Sequence, residues 1–416
     1  MEPPALERNL ALYQWYLPLS RAYFWAPIFF LYFIARFPID RVLQLESIYY
    51  LSVVLLELPS GYLSDRVGRA VTLRLSALGF LVSFILFLSA GDSFALFAAA
   101  QAALAFGYAS RSGTDESFHF DSLQALGREQ EFAAREARLA RNGYLVASAT
   151  AIVGGAAGVW DLRLSYLFSA LFAIVLLGVT LRMKEPPREA SGWADDGLRA
   201  QIGQCLRLLG RPTLAWLFAF VVLQITLEHV PYEFAQPYVA AVLDEPVRNT
   251  RTTPLATGLL TASFAFVAAF AAAQSVRLRD RFGVGRTLLG MTAFQTLLIG
   301  VMAAVVHPLV LALLLLRSSY SAVSNVIVHA AVTPRVPQAQ RATYLSIHSL
   351  AGRLGYAAVL FALSGLGGVG GGPVSEGESD FESVARMLQW CAGLALAGWI
   401  TLFATRRALR EVGGPT

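Results

Sequence analysis

Acidic, basic and imidazole side chains that could exchange protons are concentrated in one stretch between apolar runs, YASRSGTDESFHFDSL at 108–123. If this stretch is helical, Arg111, Asp115 and His119 recur every four residues and share one face. A carboxylate in an apolar surrounding holds a proton more readily than one in water, because burial disfavours its charged form. The sequence therefore indicates proton-coupling groups, and the candidates are Asp115, Glu116, His119, Glu57 and Glu228.

Further polar side chains interrupt the other apolar stretches and could contact a polar, charged or zwitterionic solute. A charged group at the centre of a bilayer costs roughly 2.5–3.5 kcal/mol on insertion scales, so each such group is a candidate for function. The candidates for substrate binding are Arg21, Glu46, Arg111, Gln224, His229, Glu233, Arg317, Asn325 and Arg353. Two other interpretations stay open: each arginine could form an internal ion pair that fixes packing, and the chain could emerge into the cytoplasm near residue 116.

The elements that must position these groups are apolar helices. The chain of 416 residues is 56% hydrophobic and only 15% charged, with a mean hydropathy of +0.54, whereas a soluble domain carries about a quarter charged residues. One span requires about 20 mostly apolar residues, and long uncharged runs such as LSALGFLVSFILFLSAG meet that need. The composition predicts an all-α polytopic membrane protein in contact with the lipid bilayer. The N-terminus lacks a cleavable signal, which predicts that the first span is retained as an anchor.

We predict twelve membrane-spanning helices from the apolar runs. Their predicted bounds are 14–35, 43–63, 70–90, 94–124, 138–159, 163–183, 213–241, 253–276, 285–305, 308–333, 341–366 and 381–405.

The distribution of arginine predicts the topology. Arginines are dense in alternate connections, for example around Arg66, Arg128 and Arg279, and sparse in the others. The positive-inside rule places the arginine-rich connections, and with them both termini, in the cytoplasm. The net charge of +5 is then a topology signal, and no nucleic-acid partner is expected.

The longest polar stretch, 184–212, divides the predicted spans into six and six. Apolar residues at helical spacing within it predict a short amphipathic helix on the membrane surface. The predicted domains are an N-terminal bundle at 1–183, this linker, and a C-terminal bundle at 213–416. The two cysteines, Cys205 and Cys391, provide no disulfide framework, and no metal site or cofactor is predicted.

The stretch GYLSDRVGRA combines charge and turn residues between predicted spans two and three. Gly61 permits close approach of two helices, and Gly68 permits a turn with positive φ. Asp65 can face the positive N-terminus of a neighbouring helix, while Arg66 and Arg69 can pair with acids at helix ends. The stretch predicts a charged latch at the cytoplasmic face, and a solvated loop is the alternative.

This stretch resembles the loop 2–3 signature of the major facilitator superfamily, and DRFGVGR, which contains Asp280 and Arg281, is a weaker copy after span eight. The resemblance implies two pseudo-symmetric six-helix bundles, with a cavity lined by spans one, four, seven and ten. It also implies that Asp65 and Arg69 lock the outward-facing state. The arginine would pair with an acid at the end of span four, where Asp121 stands.

Three other stretches, ELPSG, TDESFHFDSL and RATYLSIHSLAGRLG, resemble a bacterial branch of drug and metabolite exporters. That resemblance implies a place in the bacterial inner membrane. Exporters of the superfamily often carry a glycine-proline signature in span five, whereas VGGAAGVW here has glycines and no proline.

The expected function is secondary transport by alternating access. The sequence has no enzyme motif and no phosphate-binding glycine loop, so we expect neither enzyme activity nor drive by ATP. We expect a monomer that exports a small organic compound by proton antiport. The alternatives are proton-coupled uptake by symport and, in a different class, a membrane receptor or scaffold that transports nothing.

Overall fold

The computed structural model describes residues 3–187, 197–233, 253–305, 307–367 and 380–412, and within these ranges every regular element is helical. The α-helices are α1 Pro3–Leu19, α2 Phe29–Ile34, α3 Ile39–Val67, α4 Arg69–Ser89, α5 Phe94–Arg111, α6 Thr114–Gln124, α7 Phe132–Trp160, α8 Leu162–Arg182, α9 Leu198–Arg207, α10 Pro212–Glu233, α11 Thr253–Phe282, α12 Val284–Ala304, α13 Pro308–Leu314, α14 Ser319–Val332, α15 Arg341–Gly367 and α16 Asp380–Ala404.

Nine helical segments in the described part of the chain are long and apolar enough to cross a membrane. They match nine of the twelve predicted spans. The remaining three predictions, 14–35, 94–124 and 341–366, correspond to α1 with α2, to α5 with α6, and to α15. The prediction of an all-α polytopic membrane protein is confirmed.

Predicted spans one and four are wrong as continuous helices, whereas span ten matches one membrane-crossing segment, Pro308–Arg335, that contains a turn. The chain leaves the helix between α1 and α2, where Pro27 disfavours a helical conformation of the residue before it. Span four breaks at Gly113, which has a φ of 69° that a residue with a side chain rarely adopts. Span ten is interrupted between α13 and α14 by a turn in which the Arg317 N–H bonds the carbonyl of Leu314.

The chain clusters into two compact units. The first comprises Met1–Leu208, Thr250–Ala273 and His329–Ile347. Its core is rich in buried aromatic rings contributed by α1, α2, α4, α5, α6 and α8: Tyr13, Tyr16, Tyr32, Phe33, Phe87, Phe97, Phe118 and Tyr166. Small residues let its helices approach closely, since the Ser76 hydroxyl of α4 donates to the carbonyl of Gly107 in α5 at 2.7 Å.

The second unit comprises Leu209–Asn249, Gln274–Val328 and His348–Thr416. Indole N–H groups tie its helices together: Trp399 of α16 donates to the Leu289 carbonyl at 2.9 Å, and Trp216 of α10 donates to the Leu402 carbonyl at 3.0 Å. Each of these bonds satisfies a polar group that burial would otherwise leave at a cost. The division at 1–183, 184–212 and 213–416 stays a prediction.

Candidate functional site

Four buried charged residues of the first unit form a cluster that we call the latch: Asp65, Arg69, Asp121 and Arg341. Arg69, the first residue of α4, pairs with Asp65 in the last turn of α3 and, at 3.3 Å, through its Nε with Oδ2 of Asp121. Arg341 pairs with the other oxygen of Asp121. Each of the four residues is at most 3% exposed. Two carboxylates and two guanidiniums therefore neutralise one another, as buried charges require.

The local sequence explains why these charges converge. Gly68, with a φ of 135°, ends α3 and lets α4 begin at Arg69 directly afterwards. Gly61 permits the close approach of α3 and α15, because a Cβ at this position would lie 2.6 Å from Oγ of Ser346. Gly61 therefore lies where two helices approach closely, and Gly68 adopts a positive φ, as the sequence predicted.

Asp65 also lies at the N-terminus of α15. Its carboxylate oxygens accept hydrogen bonds from the backbone N–H groups of Ala342 at 3.1 Å and Thr343 at 2.8 Å, and from the Thr343 hydroxyl at 2.5 Å. These N–H groups have no partner within the helix, and the helix dipole favours a negative charge beside them.

Three other residues predicted for the latch lie elsewhere. Arg66 is half-buried, and its guanidinium lies over the ring of Tyr62 at 5.4 Å. Asp280 is exposed and pairs with the adjacent Arg279 at 2.8 Å. Arg281 is also exposed and lies over Phe282. The structure does not bring the weaker copy of the signature into a buried cluster.

The acidic stretch at 108–123 starts a new helix at Thr114, so Arg111 and Asp115 belong to different helices. The prediction that Arg111, Asp115 and His119 share one helical face is therefore wrong. Arg111 and Asp115 still approach, with 4.0 Å between Nε and Oδ2. Arg111 also donates to the Ser20 carbonyl at 2.9 Å, and Asp115 lies in the first turn of α6, where acidic residues are favoured.

Five titratable residues of the first unit form what we call the carboxylate–histidine cluster: Asp115, Glu116, His119, Glu136 and His329. Nδ1 of His119 lies 2.6 Å from a Glu136 oxygen, and Nδ1 of His329 lies 3.4 Å from a Glu116 oxygen. Asp115, His119 and Glu136 are buried. The ring of Tyr13 stacks on His119 at 4.4 Å and screens that pair from solvent.

Sequence analysis missed Glu136, His329 and Arg341 as members of these clusters. Glu136 lies in α7, which begins at Phe132, six residues before the predicted start of span five. The signal that could have found Glu136 is its helical position facing an apolar core in AAREARLARNG. His329 and Arg341 are remote in sequence from their partners, so no local pattern points to them.

Several predicted site residues of the first unit lie outside both clusters. Glu57 is fully buried in α3. Glu46 accepts a hydrogen bond from the amide of Gln101 at 3.1 Å. Arg21 lies over the ring of Tyr144, 4.8 Å from its centroid.

In the second unit, Gln224 and Asn325 meet, with 2.6 Å between the amide nitrogen and oxygen. His229 packs against Tyr356 at 4.8 Å, and Nε of Arg353 lies 3.4 Å from the Ser349 hydroxyl. Glu228 is half-buried in α10, and Arg317 is half-buried in the turn after α13. The side chain of Glu233 lies outside the described residues.

Among the residues that the structure describes, no group of three or more histidine, cysteine, aspartate or glutamate side chains could hold a metal ion.

Comparison with known proteins decides the fold. No family model matches the sequence, and no curated protein sequence is similar to it. Solved structures are similar over 97% of the chain. One is the Escherichia coli fucose:proton symporter FucP, with 15% identity, 99% of its chain covered and a TM-score of 0.68. A second structure of FucP, described as a major facilitator superfamily transporter in the outward conformation, gives a TM-score of 0.69 at 14% identity, with 99% of its chain covered.

The chain has the fold of the major facilitator superfamily. A bacterial homologue of the iron transporter ferroportin, in an outward-facing state, is also similar, with 16% identity, all of its chain covered and a TM-score of 0.67. The predicted fold class, with twelve spans in two pseudo-symmetric six-helix bundles, is confirmed. Structural similarity at identities this low establishes the major facilitator fold alone. Membership of the predicted exporter branch stays a prediction.

Proposed function

We propose that this chain is a secondary active transporter that couples the movement of a small organic compound to protons by alternating access. The observation that carries the proposal is the carboxylate–histidine cluster, which is built on α6, α7 and α14 of a major facilitator fold. Ionisable residues buried in membrane-spanning helices are costly and commonly serve ion or proton pathways. The proposal assigns the chain no covalent chemistry and no cofactor.

Asp115 is the proposed proton-binding group, with Glu116 and His119 beside it. Arg111 lies 4.0 Å from Asp115 and is held by the backbone of Ser20, in the non-helical segment after α1. Movement of that segment would change the distance between Arg111 and Asp115. A proton would then bind Asp115 more tightly in one state than in the other, which is the condition for coupling.

The charges around Asp115 come from several elements. Glu116 follows it in α6, Glu136 faces it from α7, and Arg111 ends α5. Arg21 interacts electrostatically with His329 on the other side of the cluster. Proton binding at Asp115 therefore depends on the packing of four helices and of the segment that follows α1.

For the direction of transport, we propose export by proton antiport. The support is the resemblance of ELPSG, TDESFHFDSL and RATYLSIHSLAGRLG to exporter sequences. Uptake by symport is the second candidate, because one similar structure is that of a fucose:proton symporter. We also propose that the transporter is a monomer in the bacterial inner membrane with both termini in the cytoplasm.

The proposal is tested with purified protein in liposomes that contain a pH-sensitive dye. A panel of sugars, nucleosides and cationic and zwitterionic drugs is added on one side, and proton movement is recorded. We expect at least one compound to move protons, against the compound gradient for antiport or with it for symport. Compound transport with no proton movement, at any imposed pH gradient, would overturn the coupling.

A further inference from the structure

The segment that joins the two predicted halves of the chain contacts the latch on both sides of residues 188–196, which lie outside the described residues. Before them, the two carboxylate oxygens of Glu185 accept hydrogen bonds from the N–H groups of Arg69 and Ala70, each at 2.8 Å. The Pro187 carbonyl accepts from the Gln338 amide at 3.0 Å. Glu185 thereby caps the N-terminus of α4, at the residue whose side chain belongs to the latch.

After those residues, helix α9 places Gln201 against Asp65. The Gln201 amide nitrogen lies 2.9 Å from Oδ2 of Asp65, 2.7 Å from the Thr343 hydroxyl and 3.1 Å from the Ala339 carbonyl. Gln201 is only 4% exposed. An amide is neutral, so it satisfies the Asp65 carboxylate and leaves the charge balance of the latch unchanged.

The next turn of α9 continues the same contact surface. The Gln204 side-chain oxygen accepts from the Gln340 amide at 2.8 Å, and the Cys205 thiol lies 3.8 Å from the Gln340 carbonyl. Of the ten residues of α9, only Gln201 and Cys205 are buried. Their burial faces the latch, while Arg199, Ala200 and Leu206 are exposed.

We propose that linker helix α9 takes part in the opening and closing of the latch. Gln201 positions the Asp65 carboxylate, and α9 separates from Asp65 and Thr343 when the contact between Asp65 and the N-terminus of α15 opens. This inference rests on the proposed transport cycle, because a transporter needs the latch to open and close. The linker then couples its own docking to the conformational change.

Thermodynamic linkage makes the coupling between the docking of α9 and the Asp65–Thr343 contact reciprocal. If docking of α9 stabilises the Asp65–Thr343 contact, that contact stabilises docking of α9 by the same factor. A tether that merely joins two halves of the chain would show neither effect. Backbone amide exchange detects both effects, because the N–H groups of Ala342 and Thr343 donate to Asp65 and those of α9 report its own opening.

The experiment measures hydrogen–deuterium exchange of the full-length protein in lipid nanodiscs by mass spectrometry. Asp65→Asn is read at α9, and Gln201→Ala is read at the first turn of α15. We expect exchange at the reporting segment to accelerate about tenfold in each variant, the factor that loss of one hydrogen bond to a charged group supports. Arg199→Ala, an exposed change on the same helix, is the matched control and should alter neither segment.

Exchange of α12 monitors overall folding and should equal that of the parent in all variants. Unchanged α9 exchange in Asp65→Asn, or unchanged α15 exchange in Gln201→Ala, would overturn the inference. The exchange measurement needs no substrate. If the proposed transport activity is not found, accelerated exchange at α9 and α15 would still demonstrate coupling between the linker and the latch. Acceleration in Arg199→Ala equal to that in Gln201→Ala would also overturn it, since the effect would then be general to the helix.

Discussion

The carboxylate of Asp65 accepts hydrogen bonds from both the backbone N–H and the hydroxyl of Thr343, a residue 278 positions further along the chain. Asp65 follows the second predicted span, and Thr343 lies in the first turn of the eleventh. Their contact therefore joins the two predicted halves of the sequence. The rest of the latch, with Arg69, Asp121 and Arg341, is built around this contact.

Replacement of Asp65 by asparagine should weaken the latch. The variant keeps the size of the side chain and loses the charge that the N-terminus of α15 and Arg69 stabilise. We expect the ratio of outward-facing to inward-facing molecules to fall about tenfold, the effect of one lost hydrogen bond to a charged group, and transport to slow. Distances between spin labels, one within 1–183 and one within 213–416, measure the ratio. Unchanged distance distributions in a folded variant would show that Asp65 does not bias the equilibrium.

The latch also shows which site residues can be predicted from the local sequence and which cannot. Gly61, Gly68 and Asp65 could be recognised because a turn signature between two apolar runs fixes their conformational requirements. Arg341 and Gln201 could not, because their partners are more than 130 residues away in sequence and only tertiary packing brings them together.

The spans show the same limit. Apolar runs predicted most helices to within a few residues, since burial in lipid requires about 20 apolar residues per span. The break at Gly113 was missed because a single glycine within a helical pattern is compatible with a continuous helix. Because of that break, Arg111 and Asp115 lie on different helices. Because α7 begins earlier than predicted, Glu136 lies on a helix and belongs to the carboxylate–histidine cluster.

The predicted topology places the connection before α5 outside and the connection before α7 in the cytoplasm. Asp92 and Gln130 are exposed residues of these two connections. With Cys205 and Cys391 replaced by alanine, Asp92→Cys should react with a membrane-impermeant maleimide on intact cells. Gln130→Cys should react only after the membrane is permeabilised. Equal labelling of both positions on intact cells would contradict the predicted arginine-based orientation.

Close packing of α7 against α11 depends on two glycines. A Cβ on Gly155 would lie 2.8 Å from the Cα of Gly258 and 2.6 Å from the Pro254 carbonyl. Gly155→Ala should therefore destabilise the protein by about 1–3 kcal/mol, the usual cost of overpacking, and lower its melting temperature in detergent. Gly178→Ala is the matched control, because no atom lies within 4 Å of its added Cβ. Equal melting temperatures for the two variants would show that α7 and α11 can separate at no cost.

The thiol of Cys205 should resist alkylation at neutral pH. Burial, with a smaller effect of the Asp65 charge, raises the pKa of Cys205 to about 12, and the thiolate is the reactive form. Because the folded-state pKa lies above the ordinary value, the thiolate fraction at pH 7–8 falls below that of an exposed cysteine. Reaction with a maleimide should therefore be slow and should speed up as pH rises. Protein unfolded in dodecyl sulfate is the control and should react fast at pH 7.5, whereas equal rates before and after unfolding would contradict the docking of α9.

The measurement that tests the central claim most directly compares Asp115→Asn with the parent protein in liposomes, using a compound found to move protons. Asparagine resembles the protonated carboxyl in shape and cannot release a proton. The variant should lose accumulation of the compound driven by a pH gradient and should retain exchange of labelled for unlabelled compound. Glu129→Gln, the same chemical change at an exposed residue, should leave both activities unchanged. If Asp115→Asn accumulates the compound against its gradient at the parent rate, proton coupling through the carboxylate–histidine cluster is contradicted.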